Sequence, residues 1–62
     1  MKTIAEFEHF VAGAQDGEVA LHEIEMALQA ARQSEQEADD HTAGEWQHII
    51  VQLEDILADL RS

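Results

Sequence analysis

The last third of the chain carries one apolar stripe, Trp46, Ile49, Ile50, Leu53, Ile56, Leu57 and Leu60, recurring at the three- and four-residue intervals of an α-helix. A helix apolar at the a, d and e positions of its heptads has a hydrophobic face about 100° wide or more, broader than the seam of a two-stranded coiled coil. Such a helix needs one neighbour and has surface left for a second. Thr42 followed by Glu45 forms a capping-box pattern and places the start of this closing helix at about residue 43.

Size limits how that face can be buried. The chain has 62 residues, and below roughly 70–80 residues a single core rarely supplies more than a few kcal/mol. Cysteine is absent, which excludes disulfides, iron–sulfur clusters, thiolate zinc sites and thiol chemistry. Association with another chain, or a metal held by His and carboxylates, remains as reinforcement. There is no Pro, Gly occurs only at 13, 17 and 44, and β-branched residues never alternate over a strand's length. These features predict an all-α fold and a single helical domain over residues 1–62.

The domain divides into three pieces. Thr3 and Glu6 form another capping-box pattern, and Ile4, Phe7, Val11 and Ala14 line one face up to the break at Asp16 and Gly17, predicting a short helix over about 3–16. Leu21, Ile24, Leu28 and Ala31 then make an a/d seam in a long helix over about 18–37. The acidic stretch that follows predicts a turn over about 38–42, leading into the closing helix over about 43–61. So short a connection implies antiparallel neighbours. The expected architecture is an antiparallel two-helix hairpin with a short N-terminal helix, its core made by Leu21, Ile24, Leu28 and Ala31 facing Trp46, Ile49, Leu53, Ile56 and Leu60.

That arrangement leaves apolar residues over. Val19, Met26 and Ala30 lie nearly opposite the seam of the long helix, and Ile50 and Leu57 lie at one edge of the closing stripe. Either the first helix folds back to cover the far side of the hairpin, or the surplus docks another protein, with Met as an adaptable contact. Phe7 and Phe10 carry the same two readings. On the docking reading, Phe7, Phe10, Val19, Met26, Ile50 and Leu57 form the partner-binding set.

Charge and motif content narrow the function. Fourteen acidic residues stand against Lys2, Arg32 and Arg61, a net charge of -11, so the phosphate contacts that dominate nucleic-acid affinity have almost no donors. Direct nucleic-acid binding and attachment to anionic membranes are not expected. No apolar run approaches a membrane span, and Met1 to Phe10 lack the basic and apolar regions of a signal peptide, which makes the cytoplasm the expected compartment. Glu6 with His9 and Glu45 with His48 match the Glu-x-x-His spacing of di-iron bundles, but both pairs fall off the apolar faces that would have to hold a metal between helices. Ser34 and Ser62 lack a neighbouring His and acid, and there is no Gly-rich phosphate loop. No enzyme activity, cofactor or metal is expected.

The segment Ile24-Glu25-Met26-Ala27-Leu28, with Phe7 nineteen residues before Met26, a polar turn, then Trp46 and an Ile/Leu-rich closing helix, resembles the YscE/PscE-type proteins of type III secretion systems. The likeness lies in pattern and order over nearly the whole chain, and touches Phe7, Ile24, Met26, Ala27, Leu28 and Trp46. It implies a cytoplasmic helical-hairpin co-chaperone that binds a helical-repeat chaperone, the pair keeping a needle subunit unpolymerised. The chain departs from the family in a more acidic turn without Gly and in its more negative charge. A different class is also open: a homodimeric acidic helical bundle, acting as a phage-type inhibitor that occupies a nucleic-acid-binding groove by charge resemblance.

Overall fold

The computed structural model describes residues 3–62 and holds three α-helices, α1 over Ile4–Gln15, α2 over Leu21–Glu37 and α3 over Asp40–Arg61. Lys2 lies outside the described residues. The fold is all-helical, with the expected short N-terminal helix.

Local chemistry sets the ends of α1. Thr3 is extended and its Oγ1 accepts the Glu6 N–H at 3.3 Å, so one of the helix's orphan donors is satisfied. At the other end, Gly17 adopts φ +80° while its N–H donates to the Ala14 carbonyl at 3.1 Å and the Glu18 N–H donates to the Gly13 carbonyl at 3.0 Å. This pair of bonds is a Schellman closure, which needs a left-handed residue at the position after the cap. It also corrects the expected start of α2 at Glu18. The Glu18 N–H is turned back toward α1, Ala20 stays extended, and the first bonds of α2 run from Glu23 and Ile24 to the Ala20 carbonyl.

The start of α3 is corrected in the opposite direction. Asp39, not Thr42, is the N-cap, and its Oδ1 accepts both the N–H and the hydroxyl of Thr42 at 2.9 Å. Asp ranks with the best N-cap residues, and starting one turn earlier gives the chain three more helical residues. The expected turn over 38–42 thus contracts to Ala38 and Asp39, with Ala38 half-buried against the core.

Two ion pairs fix the register of α2 against α3. Arg32 meets Glu54, and Glu25, two turns earlier on α2, meets Arg61, two turns later on α3, both at 2.8 Å. The helices are therefore antiparallel. The pairs are about half exposed, and such pairs contribute roughly 0–1 kcal/mol, so they record alignment more than they supply stability. Apolar burial supplies the stability: Ile24, Ile49 and Leu53 are fully enclosed, and Ala27, Leu28, Ala31, Trp46, Ile50 and Leu57 are buried around them.

The first helix folds back to complete the bundle. Phe7, Val11 and Ala14 are buried, and the Phe7 ring meets Trp46 edge to face, centroids 5.0 Å apart at 79°. Ile4 shares a groove with His41 at the start of α3, and Ala14 shares another with Ile56 near its end, so α1 runs in the same direction as α3. The result is an up-down-up three-helix bundle. Its longest dimension, 33 Å, matches the 22 residues of α3 at about 1.5 Å each.

Two glycines predict opposite outcomes for the same substitution. Gly17→Ala places a Cβ on a left-handed residue and should lower stability by about 1 kcal/mol. Gly44→Ala, inside α3 with nothing within 4 Å of the new Cβ, should raise it by about 0.5–1 kcal/mol. Urea denaturation read by circular dichroism at 25 °C checks both.

The Asp39 cap predicts a pH dependence. The Thr42 N–H, then its hydroxyl, hold the Asp39 carboxyl below its ordinary value of 3.8. A carboxylate whose folded pKa is depressed adds stability that is full above the unfolded pKa and is lost as pH falls through the folded one. The stability difference between the wild-type chain and Asp39→Asn should therefore be constant from neutral pH down to about 5 and shrink below about 4. Denaturation midpoints of both proteins across that range measure it.

Candidate functional site

A chain with this charge and no cysteine has few ways to build chemistry, and the described residues bring together little of it. No group of three or more His, Asp or Glu among them is placed to hold a metal ion, and none of the buried residues is polar or charged. Glu6, His9, His22, Glu45 and His48 are all exposed. The Ser62 hydroxyl caps its own helix by donating to the Asp59 carbonyl at 3.0 Å. No helix among the described residues is long and apolar enough to cross a membrane.

Each pair of helices leaves a groove. The α2/α3 groove, about 410 Å³, is bordered by both ion pairs, Arg32–Glu54 and Glu25–Arg61. The α1/α3 groove, about 570 Å³, has Ile4, Val11 and Ile49 at its base and a polar border that includes Glu8, Glu45, His41 and His48. The α1/α2 groove differs in chemistry. Phe7, Phe10, Met26, Ala27 and Ala30 line it with one charged residue, Glu23, in about 360 Å³.

This third groove follows from the sequence of its two helices. On α2, Glu23, Met26, Ala27 and Ala30 recur at three- and four-residue spacing, so they share a side, and the small Ala27 lets α1 approach. On α1, Phe7 points to the core and Phe10 sits three residues on, half-buried. Met26 stands at the lip with 59 % of its surface exposed, more than any other large apolar side chain described.

The residues expected at a partner surface separate accordingly. Met26 is exposed and Phe10 and Val19 are half-buried, and Met26 and Phe10 are brought together in the α1/α2 groove. Phe7, Ile50 and Leu57 are not free surface. They are 2 %, 8 % and 7 % exposed: Phe7 packs against Trp46, and Ile50 and Leu57 share the edge of the α3 stripe that faces α2. The expected hairpin core is corrected at three positions. Ile56 is only half-buried, while Leu21 and Leu60 are exposed: Leu60 lies near the end of α3, and the ion-pair register carries Leu21 past the level of Arg61. Ile24, Leu28, Ala31, Trp46, Ile49 and Leu53 are buried as expected. Ala27 is also buried: it lies three residues from Ile24 but faces α1, a second neighbour that an a/d seam for one partner does not include.

No protein-family model, curated protein or solved structure matches this chain.

The core and groove roles of the two phenylalanines predict different mutant behaviour. Phe7→Ala should cost about 3 kcal/mol or more and shift the emission of Trp46, the chain's one tryptophan, to the red. Phe10→Ala, at a half-buried site, should cost less and leave that emission unmoved. Fluorescence-monitored denaturation of both variants separates the two roles.

Proposed function

We propose that the chain is a non-enzymatic protein-interaction module working in the cytoplasm, and that it acts as a co-chaperone. In that role it stabilises a helical-repeat chaperone that holds a type III secretion needle subunit unpolymerised. The exposure of Met26 on the lip of an otherwise apolar groove carries the docking part of this reading. A closed core with no buried polar residue leaves that groove as surface a partner can cover. The secretion setting is supported by the sequence resemblance through Phe7, Ile24, Met26, Ala27, Leu28 and Trp46. A chaperone suppresses filament assembly by covering adhesive helices or by steadying a protein that does, and a bundle with a mostly apolar surface groove suits the second task.

One observation favours a second reading, an acidic inhibitor resembling nucleic acid. Both arginines are committed to ion pairs with acidic residues of the bundle itself, which leaves the exterior dominated by carboxylates. In its homodimeric form that reading lacks a motive for association, since one chain already buries its own core.

Purification from the native cell followed by mass spectrometry should recover a helical-repeat protein with the wild-type chain and lose it with Met26→Glu, while circular dichroism of the variant stays unchanged. Light scattering of the isolated chain should give the 6.9 kDa of a monomer. A stable dimer that displaces DNA from a basic protein, with affinity collapsing as salt rises, would sink the co-chaperone reading in favour of the inhibitor.

A further inference from the structure

Both arginines lie on one side of the bundle. Arg32 and Arg61 both border the α2/α3 groove, each held by a carboxylate at 2.8 Å. Among the described residues the α1/α2 groove has no Lys or Arg in its lining, and its charged lining residue is Glu23. Helical spacing puts further carboxylates on the same two faces: Glu6 one turn before Phe10 on α1, and Glu37 two turns after Ala30 on α2. The apolar trough therefore has acidic margins at the two ends of its α2 side, Glu23 and Glu37, and at Glu6 on α1. Its floor is shallow because Ala27 and Ala30 are small, and its walls, Phe10 and Met26, are an aromatic and an adaptable thioether.

We infer that the α1/α2 groove seats one amphipathic helix of a partner protein, its apolar face on Phe10, Met26 and Ala30 and its flanks carrying Lys or Arg opposite Glu6, Glu23 and Glu37. This inference rests on the docking reading above and names the partner's chemistry. From Glu23 to Ala30 the trough spans two turns of α2, about 10 Å, so the occupant engages through anchors at i, i+3 or i+4 and i+7. Close approach over alanines lets it pack as a fourth helix of the bundle. Charge decides against a second copy of this chain as occupant. Two copies at -11 each repel, and the acidic margins of the trough would face the same carboxylate-rich exterior. A basic flank instead gains attraction at these margins and arrives faster at low salt.

A synthetic amphipathic helix of Leu and Lys, and one of Leu and Glu in the same pattern, test the seat directly. Met26 is one of two methionines, so a chain labelled with ¹³C at the methionine methyls reports on the groove lip. The Leu/Lys helix should shift the Met26 methyl resonance, the Leu/Glu helix should not, and raising salt from about 0.05 to 0.5 M should weaken binding several-fold. Met26→Glu and Ala30→Glu should each weaken the Leu/Lys helix about tenfold or more, although each adds a negative charge. Leu60→Glu, away from the groove, should not weaken it.

The sign is the test. If the glutamate variants bind the Leu/Lys helix more tightly, the attraction is diffuse electrostatics and the seat is overturned; an unmoved Met26 methyl, or equal binding of the Leu/Glu helix, overturns it as well. Loss of binding in Leu60→Glu with retention in Met26→Glu overturns this groove while leaving a docking module. Failure of the docking reading itself would show in the native-cell purification, as no partner lost on Met26→Glu, whatever the synthetic helices do.

Discussion

Leu53 is fully enclosed at the middle of α3 because two helices close over it from different sides, and that double coverage is the condition for the rest of the bundle. A face as wide as the α3 stripe, met by α2 alone, would leave one flank in water. With α1 returned along the other flank, Ile49, Ile50, Leu53 and Leu57 are all buried by a chain of 62 residues. Every boundary in the fold serves this closure. Gly17 turns the chain after α1, Ala38 and Asp39 turn it after α2, and Phe7 anchors α1 through its T-shaped contact with Trp46. Such an aromatic pair is worth about 0.5–1.5 kcal/mol beyond its buried area, a useful fraction for so small a core.

What was legible in the sequence was what short-range chemistry decides. Thr3 and the Asp16–Gly17 break marked the ends of α1 because a cap and a left-handed turn depend on residues within a few positions. The start of α3 was not legible in the same way. Asp39 and Thr42 are both good caps, and in the structure Asp39 takes the role while the Thr42 N–H and hydroxyl donate to it. Periodicity likewise gave the width of the α3 face but not how it is divided. Ile50 and Leu57 read as surplus because the seam is drawn through the other edge: in the structure α2 covers the edge of Leu57, and α1 takes the edge of Ile49 and Ile56. The groove was half legible: Met26 and Ala30 stood off the seam in sequence, whereas Ala27 and Glu23 joined them only once α1 had a position.

Charge and apolar surface are distributed by one logic. The arginines join α2 to α3 where those helices alone meet, and the acidic residues populate the rest of the exterior. Self-repulsion at -11 works against compaction and against self-association alike. Under the docking proposal, the same carboxylates that discourage the chain's own copies would select a basic partner at the α1/α2 groove.

The two-residue link at Ala38 and Asp39 has a consequence for how the chain reaches its fold. It brings α2 and α3 together with almost no loop to close, so their pairing relies on contacts near in sequence and carries a small entropic penalty. The contacts of α1 with Trp46 and Ile56 join residues some forty positions apart and come at a greater loss of chain freedom. Chain entropy therefore favours formation of the α2/α3 hairpin over the docking of α1. One wall of the α1/α2 groove thus belongs to the helix whose docking carries the larger entropic penalty.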